Sequence, residues 1–335
     1  MLVGGHVVPK ARGEVRRLGR GLLVLGACLS LSRVAGAEPS TTTPEQGYDL
    51  GETQGSRGLA LGGAHYALGT STSAIYGNPA NLPLARVYHI EGMGALSPEA
   101  RLQSVGGAIA DSSTSRLAGG LAANLNMLDP DRLRRSWTDV RLALGFPLAD
   151  AISVGATGRY LRATQATTRG PFGPSLASDG TKGEPVFSEL TFDAGITVAA
   201  TSGLRIGAVG KNLSAPGTAF APTTVGGGIG YLGRNFAIEG GGLADFTTFA
   251  STTGRVMAGG EYFLLDRIPL RVGYRFDQGT KTHAVSGGVG YVDRRWSVEF
   301  AARRDVVADQ PMTKLLLALR FFYDSGGAPA GDPEL

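Results

Sequence analysis

From Arg86 onward the chain alternates apolar and polar positions with a period of two, interrupted by short polar or glycine-rich stretches. Between Ile268 and Phe276, the residues Ile268, Leu270, Val272, Tyr274 and Phe276 share one face, and Arg271, Gly273 and Arg275 share the other. Successive side chains of a strand point to opposite sides, so this segment is a strand with one oily and one charged side. The pattern recurs at 152–160, 190–198, 296–303 and 314–323, where Lys314, Ala318 and Arg320 oppose Leu315, Leu317, Leu319, Phe321 and Tyr323. Read this way, fourteen strands are predicted near 87–95, 102–110, 117–126, 136–146, 152–163, 188–200, 204–212, 223–232, 236–245, 254–263, 268–276, 283–291, 296–304 and 314–323. An even number of antiparallel strands is what a single-chain outer-membrane barrel requires.

The connections sort by parity. Those after even strands are short, as in Gly233-Arg234-Asn235 and Asp293-Arg294-Arg295, while those after odd strands are expected to be longer, with 164–187 the longest. Short periplasmic turns and longer external loops belong to membrane barrels, which puts both ends of the barrel in the periplasm. Phe146, Tyr231, Phe236, Tyr262, Tyr291, Trp296 and Tyr323 fall at the short-turn ends, as an interfacial girdle would. The alternative is a soluble β-sandwich with these rings in its core. Against it stand the charges of the second face, Arg141, Arg159, Asp193, Arg205, Lys211, Glu239, Arg271, Arg275, Glu299 and Arg303, which need water or partners. A wet lumen supplies both.

Composition narrows the class further. Hydrophobic residues make up 42% of the 335 and charged residues 18%, which excludes a disordered chain. The 52 glycines follow no three-residue period, and their helix-weakening effect argues against a helical bundle. Residues 1–37 hold six of the 32 basic side chains and one of the 28 acidic ones, leaving 26 against 27 in the remainder, so nucleic acid is not an expected partner. The basic stretch ending at Arg20, the apolar run Gly21 to Leu31 and Ala35-Gly36-Ala37 form a secretory signal peptide cut before Glu38. A second reading takes Leu25-Gly26-Ala27-Cys28 as a lipobox with Cys28 lipidated. Residues 38–54 then form a periplasmic linker, 55–85 a separate segment, 86–323 the barrel and 324–335 a polar tail. No later stretch reaches the roughly 18 apolar residues of a membrane helix.

Residues 55–82, GSRGLALGGAHYALGTSTSAIYGNPANL, are rich in Gly and Ala and lack the strand period. With Gly62-Gly63-Ala64, Ala74, Asn78-Pro79-Ala80 and Leu82 in order, they resemble the N-terminal signature of the FadL/PorV superfamily of outer-membrane proteins. The stretches 192–217 and 272–291 look like hairpins of the PorV branch. The resemblance implies an all-β, fourteen-stranded antiparallel transmembrane barrel with the N-terminal segment as a plug in its lumen. Pro79 removes a donor and Asn78 offers an amide, which suits a tight turn inside that lumen; Gly62 and Gly63 permit close packing. The acids common before this family's Asn-Pro-Ala turn are replaced here by Thr70-Ser71-Thr72-Ser73, which puts any plug salt bridge made by them in doubt. In the FadL branch such barrels pass hydrophobic compounds, and Leu59, Leu61, Tyr66, Leu68, Ile75 and Tyr76 are the candidate lining of an apolar pocket. In the PorV branch they hold or deliver secreted proteins through external loops. A purely structural role is the third reading. Expected partners are outer-membrane lipid, the barrel-assembly machinery, which reads a last strand ending in aromatics such as Phe321, Phe322 and Tyr323, and either hydrophobic small molecules or secreted proteins.

No enzymatic constellation emerges. Gly228 to Gly233 matches G-x-G-x-x-G, but a strand follows where a dinucleotide site needs a helix. After the signal only His65, His89 and His283 remain, scattered and without a metal motif or a nucleophile motif, so no cofactor or metal is expected. His283 follows a predicted loop and is expected to be solvated, and Asp129-Pro130-Asp131 reads as turn chemistry. The mature chain is expected to sediment with envelope membranes and to need detergent for release; recovery in the high-speed supernatant would contradict the barrel reading.

Overall fold

The computed structural model describes residues 52, 54–128, 135–164, 185–216, 220–309 and 311–323. The expected signal peptide, the lipobox alternative at Cys28, nearly all of the 38–54 linker, Asp129-Pro130-Asp131, most of the 164–187 connection and the polar tail lie outside them. Fourteen strands follow in chain order: β1 Tyr88–Ser97, β2 Leu102–Asp111, β3 Ala118–Leu128, β4 Arg135–Ala149, β5 Ile152–Thr164, β6 Pro185–Ala199, β7 Leu204–Lys211, β8 Thr224–Leu232, β9 Phe236–Asp245, β10 Thr253–Leu264, β11 Ile268–Asp277, β12 Thr282–Val292, β13 Trp296–Val307 and β14 Thr313–Tyr323. No boundary departs from the expected one by more than three residues. Each strand pairs antiparallel with its sequence neighbours, and β1 pairs with β14 from Tyr88↔Tyr323 to Leu96↔Leu315. The sheet therefore closes all round, although β7 covers β6 only over Ala194–Ala199.

The two faces of this wall are inverted relative to a soluble domain. Outward side chains are large and apolar and stand free, with Leu190 at 70%, Val272 at 67% and Leu142 at 57% exposed, while inward Asp139 and Arg141 are at 0% and 2%. A closed barrel with an oily exterior meets the demand that hydrocarbon places on a spanning chain, because strand pairing all round the wall satisfies backbone donors and acceptors within the protein. At the end where Tyr88 and Tyr323 meet, the seven girdle aromatics all project outward, and Tyr231 packs on Phe236, Tyr291 on Trp296 and Tyr88 on Tyr323 with ring centroids 5.6–6.0 Å apart.

The parity of the connections holds only in part. Residues 98–101 and 278–281, after β1 and β11, are as tight as the turns at the opposite end. Local hydrogen bonds account for both. Asp277 Oδ1 accepts from the N–H groups of Gly279 and Thr280 at 3.0 and 3.2 Å. Glu99 accepts from Arg304 Nη1 at 2.6 Å, Thr313 Oγ1 at 2.8 Å and the Thr313 N–H at 3.0 Å, tying the β1–β2 turn to β13 and β14 across the closing seam. The glycine motif Gly228 to Gly233 falls in β8 and its turn, and His283 is a partly exposed outward residue at the start of β12, bonded to the Tyr274 hydroxyl at 2.6 Å.

The slight burial of Glu99 would raise its pKa, but the Thr313 N–H and hydroxyl and the Arg304 guanidinium outweigh that and hold the carboxyl down at about 2. A carboxylate with a depressed folded-state pKa contributes stability that is complete above its unfolded value and fades as pH falls through the folded one. Glu99→Gln is thus expected to lower the unfolding midpoint in detergent micelles at pH 6, with the difference from the parent closing near pH 2. An equal difference at both pH values would contradict the seam contact.

Candidate functional site: the plug and the lumen wall

Glu52 and residues 54–84 run inside the barrel. They form a short helix α1, Ser56–Ala60, a second helix α2, Ser71–Tyr76, and a 3₁₀ helix, Pro79–Leu84. The first packs against β11 to β14, the second against β1 to β4, and the third against β3 to β6. These elements are too short to be stable alone, so the wall must hold them.

Backbone does much of the holding, through glycine. A Cβ on Gly273 of β11 would lie 2.2 Å from the Leu61 carbonyl carbon, one on Gly207 of β7 2.2 Å from the Tyr66 carbonyl oxygen, and one on Gly155 of β5 2.4 Å from the Pro79 carbonyl carbon. The plug backbone occupies the space that any side chain at these wall positions would take. Gly62 and Gly63 answer from the plug side: their φ angles of +69° and +93° belong to the left-handed region, and a Cβ on Gly62 would meet the Tyr274 carbonyl oxygen at 2.7 Å. Ala64 is buried in the same cluster as Tyr66, Val209, Leu243 and Met257.

The Asn-Pro-Ala turn is a hydrogen-bond junction. Asn78 Oδ1 accepts from the Ala80 N–H at 3.1 Å, capping the 3₁₀ helix, and its Nδ2 lies 3.0 Å from both the Tyr66 carbonyl and Thr197 Oγ1 of β6. Asn81 Nδ2 donates to the same Tyr66 carbonyl at 3.0 Å, and Thr197 donates to Asn81 Oδ1 at 2.6 Å. Pro79 at the first helical position needs no donor there.

The inward charges form paired groups. Glu299 accepts from Ser56 Oγ at 2.6 Å and from Arg271 Nη1 at 2.6 Å; Arg271 also donates to Glu261, which accepts from Arg57 at 3.1 Å. Since Ser56 and Arg57 are adjacent, the contacts close a ring between α1 and three strands. Glu239 of β9 accepts the plug N–H groups of Ala67 at 2.6 Å and Leu68 at 3.0 Å. Asp139 bridges Arg141 and Arg159, whose Nη1 reaches Asn212 Oδ1 at 3.0 Å, and Asp193 accepts the Asn212 N–H at 2.7 Å. Arg275 pairs with Glu52 at 2.8 Å, so the last residues of the expected linker already lie against the wall. Arg303 faces Asp305, and Lys211 donates to the Tyr76 carbonyl at 2.8 Å. Arg205 is inward on β7 and only half-buried. Isolated buried ions are prohibitively destabilising, so pairing is what permits this lumen to be charged. The expected wet interior is instead largely filled by the plug.

The Thr70 to Ser73 stretch finds its acid in the wall: Thr72 donates to Glu91 of β1, which also accepts from Arg320 of β14 at 2.9 Å. Ser71 is hydrogen-bonded to His89 Nδ1 at 2.7 Å. The plug therefore bridges the two strands of the closing seam. Glu91, Asp139, Glu261 and Glu52 escaped notice in the sequence, although the parity of their strands places the first three on the inward face. The six candidate lining residues, Leu59, Leu61, Tyr66, Leu68, Ile75 and Tyr76, are all buried at 3% exposure or less. Leu61, Leu68 and Ile75 seat on wall glycines 259, 230 and 120, and the Tyr76 hydroxyl is 3.2 Å from Asn124 Nδ2. His65 is enclosed between Gly58 and Gly77, and burial pushes its imidazole down to about 3, so it stays neutral.

No protein-family profile and no curated protein sequence matches the chain. Solved structures do. The toluene transporter TbuX of Ralstonia pickettii superposes with a TM-score of 0.61 at 13% identity, over 82% of this chain and 99% of that one. The fold is that of the FadL-type barrel. The monoaromatic hydrocarbon channel CymD gives 0.60 at 13% identity over 83% and 99% of the two chains, and a Pseudomonas aeruginosa FadL homologue 0.53 at 12% over 84% and 100%. At such identities the likeness is one of architecture, and the FadL-type barrel is the side of the resemblance that it supports.

Asn78→Ala removes the cap, the bond to the Tyr66 carbonyl within the plug and the bond to Thr197 of the wall, a loss on the order of 1–3 kcal/mol for the groups left unpaired. It is expected to loosen the plug and raise single-barrel conductance in planar bilayers severalfold, and Asn78→Ala with Pro79→Ala is expected to do so further. Conductance identical to the parent in both variants would contradict the anchoring role.

Proposed function

We propose that the chain is an outer-membrane protein of a Gram-negative envelope that passes small hydrophobic molecules, with residues 52–84 as its closure. The observation that carries this reading is a polar-clamped plug inside a closed, externally apolar fourteen-stranded barrel. The same architecture is found in proteins described as toluene transporters and a monoaromatic hydrocarbon channel. In this reading residues 1–37 direct export and are removed, both barrel ends face the periplasm, lipid surrounds the outer wall and the assembly machinery inserts it. The plug is held by hydrogen bonds and ion pairs that can be exchanged for others, together with shape-matched glycine contacts. That combination suits a segment that shifts without unfolding the wall.

A second reading, handling of secreted proteins in the manner of the PorV branch, draws on one feature: the candidate lining residues are packed into the wall and leave little room for a solute. The two separate on transport and on company. Cells carrying the chain are expected to take up radiolabelled toluene or oleate severalfold faster than cells with an empty vector. Equal uptake, together with an exported protein co-purifying in stoichiometric amount, would move the assignment to the second reading; equal uptake with no partner would leave a structural role.

A further inference from the structure

The outer wall carries a feature that the plug does not explain. A groove of about 390 Å³ is let into β9 to β11, lined on its outward side by Ile238, Gly260, Tyr262, Leu270 and Val272. Its floor is Gly260, outward on β10 and paired with Ile238 on one side and Val272 on the other. A Cβ at Gly260 would touch only the Ala237 carbonyl oxygen and Ile238 Cγ2, each at 3.8 Å, so the missing side chain leaves open space, as at outward Gly92, Gly158 and Gly240, but here flanked by the large side chains of Ile238, Tyr262, Leu270 and Val272. Two turns bound the same three strands at the short-turn end, and each presents one exposed arginine, Arg234 between β8 and β9 and Arg267 between β10 and β11. Arg267 lies 3.4 Å from the Tyr291 hydroxyl of the girdle and follows Asp266. Across this end Arg86, Arg116, Arg294 and Arg295 are exposed as well, against Asp111, Asp150, Asp266 and Asp293, so among the described residues the rim is net basic.

Resting on the membrane placement proposed above, we infer that the β9–β11 groove is a binding site for an anionic phospholipid: one acyl chain lies over Gly260, and the phosphate is held by Arg234 and Arg267. The dimensions agree. Gly260 precedes the turn at 265–267 by about 15 Å along the strand at roughly 3.3 Å per residue, which a strand tilt of about 40° reduces to about 11 Å of depth, within the roughly 15 Å of one leaflet of the hydrocarbon core. The chemistry agrees too. Arginine forms paired, charge-assisted bonds to phosphate oxygens, and a basic residue at an anionic lipid surface strengthens attachment in a salt-dependent way. Aromatic rings beside the arginines fix the depth at which the headgroup sits.

The test uses the full chain purified from outer membranes, exchanged into mixed micelles containing dioleoyl phosphatidylglycerol or dioleoyl phosphatidylcholine, and lipid retention read by native mass spectrometry. The parent is expected to retain phosphatidylglycerol about tenfold better than phosphatidylcholine at low salt, with the preference shrinking at high salt. R234Q with R267Q is expected to abolish the preference while leaving the fold intact, whereas G260L is expected to reduce retention of both lipids by filling the groove. Equal retention of the two lipids by the parent, or unchanged retention in both variants, would overturn the site. A chain that never fractionates with membranes would refute the membrane placement itself, an outcome distinct from a membrane-bound barrel indifferent to its lipid.

Discussion

The structure depends on one constraint: in hydrocarbon, no backbone N–H or C=O can be left without a partner inside the protein. A sheet meets it only by closing on itself, and here closure is the pairing of β1 with β14, strands from opposite ends of the described chain. Everything else about the wall follows. The outward face takes Leu, Val and aromatics, the inward face takes what the outward face cannot, and the seam is reinforced at its loop end by Glu99 and midway by Glu91, which ties Arg320 of β14 to Thr72 of the plug.

Closure creates an interior that is neither a core nor bulk water. Fourteen strands enclose more space than wall side chains alone can fill. The plug fills it by two devices with different physics. Wall glycines at 155, 207 and 273 let main chain lie directly on main chain, which fixes position through van der Waals contact and tolerates no added carbon. Carboxylates of Glu239, Glu261, Glu299 and Glu91 take plug N–H, guanidinium and hydroxyl groups, which fixes orientation through directional bonds. The first device is rigid; the second is exchangeable. Glycine contacts alone would offer no alternative bonded state, and ion pairs alone would leave voids.

Much of this was legible in the chain before any coordinates. Period-two alternation placed all fourteen strands, because the direction of a side chain along a strand is local and needs no knowledge of neighbours. The same parity sent Arg141, Arg159, Asp193, Glu239, Arg271, Arg275 and Glu299 inward and the girdle aromatics outward. The absence of strand period in 55–82 separated the plug from the wall. Local pattern misjudged connection length where a single side chain, Asp277 or Glu99, tightens a turn through bonds to other backbone groups.

What the sequence by itself determined, then, is which face each residue takes, since that depends only on its own place in an alternating run. What only the tertiary structure decided is who meets whom. The ring from Ser56 through Glu299, Arg271 and Glu261 to Arg57 joins residues some two hundred positions apart, and its membership is set by strand register and barrel closure, not by any neighbour in the chain. The same holds for the glycines. In the sequence they are interchangeable gaps in an alternating pattern; in the folded barrel some receive the plug backbone, and Gly260 leaves a hollow on the outer wall, because only the stacking of adjacent strands determines what stands opposite a missing side chain.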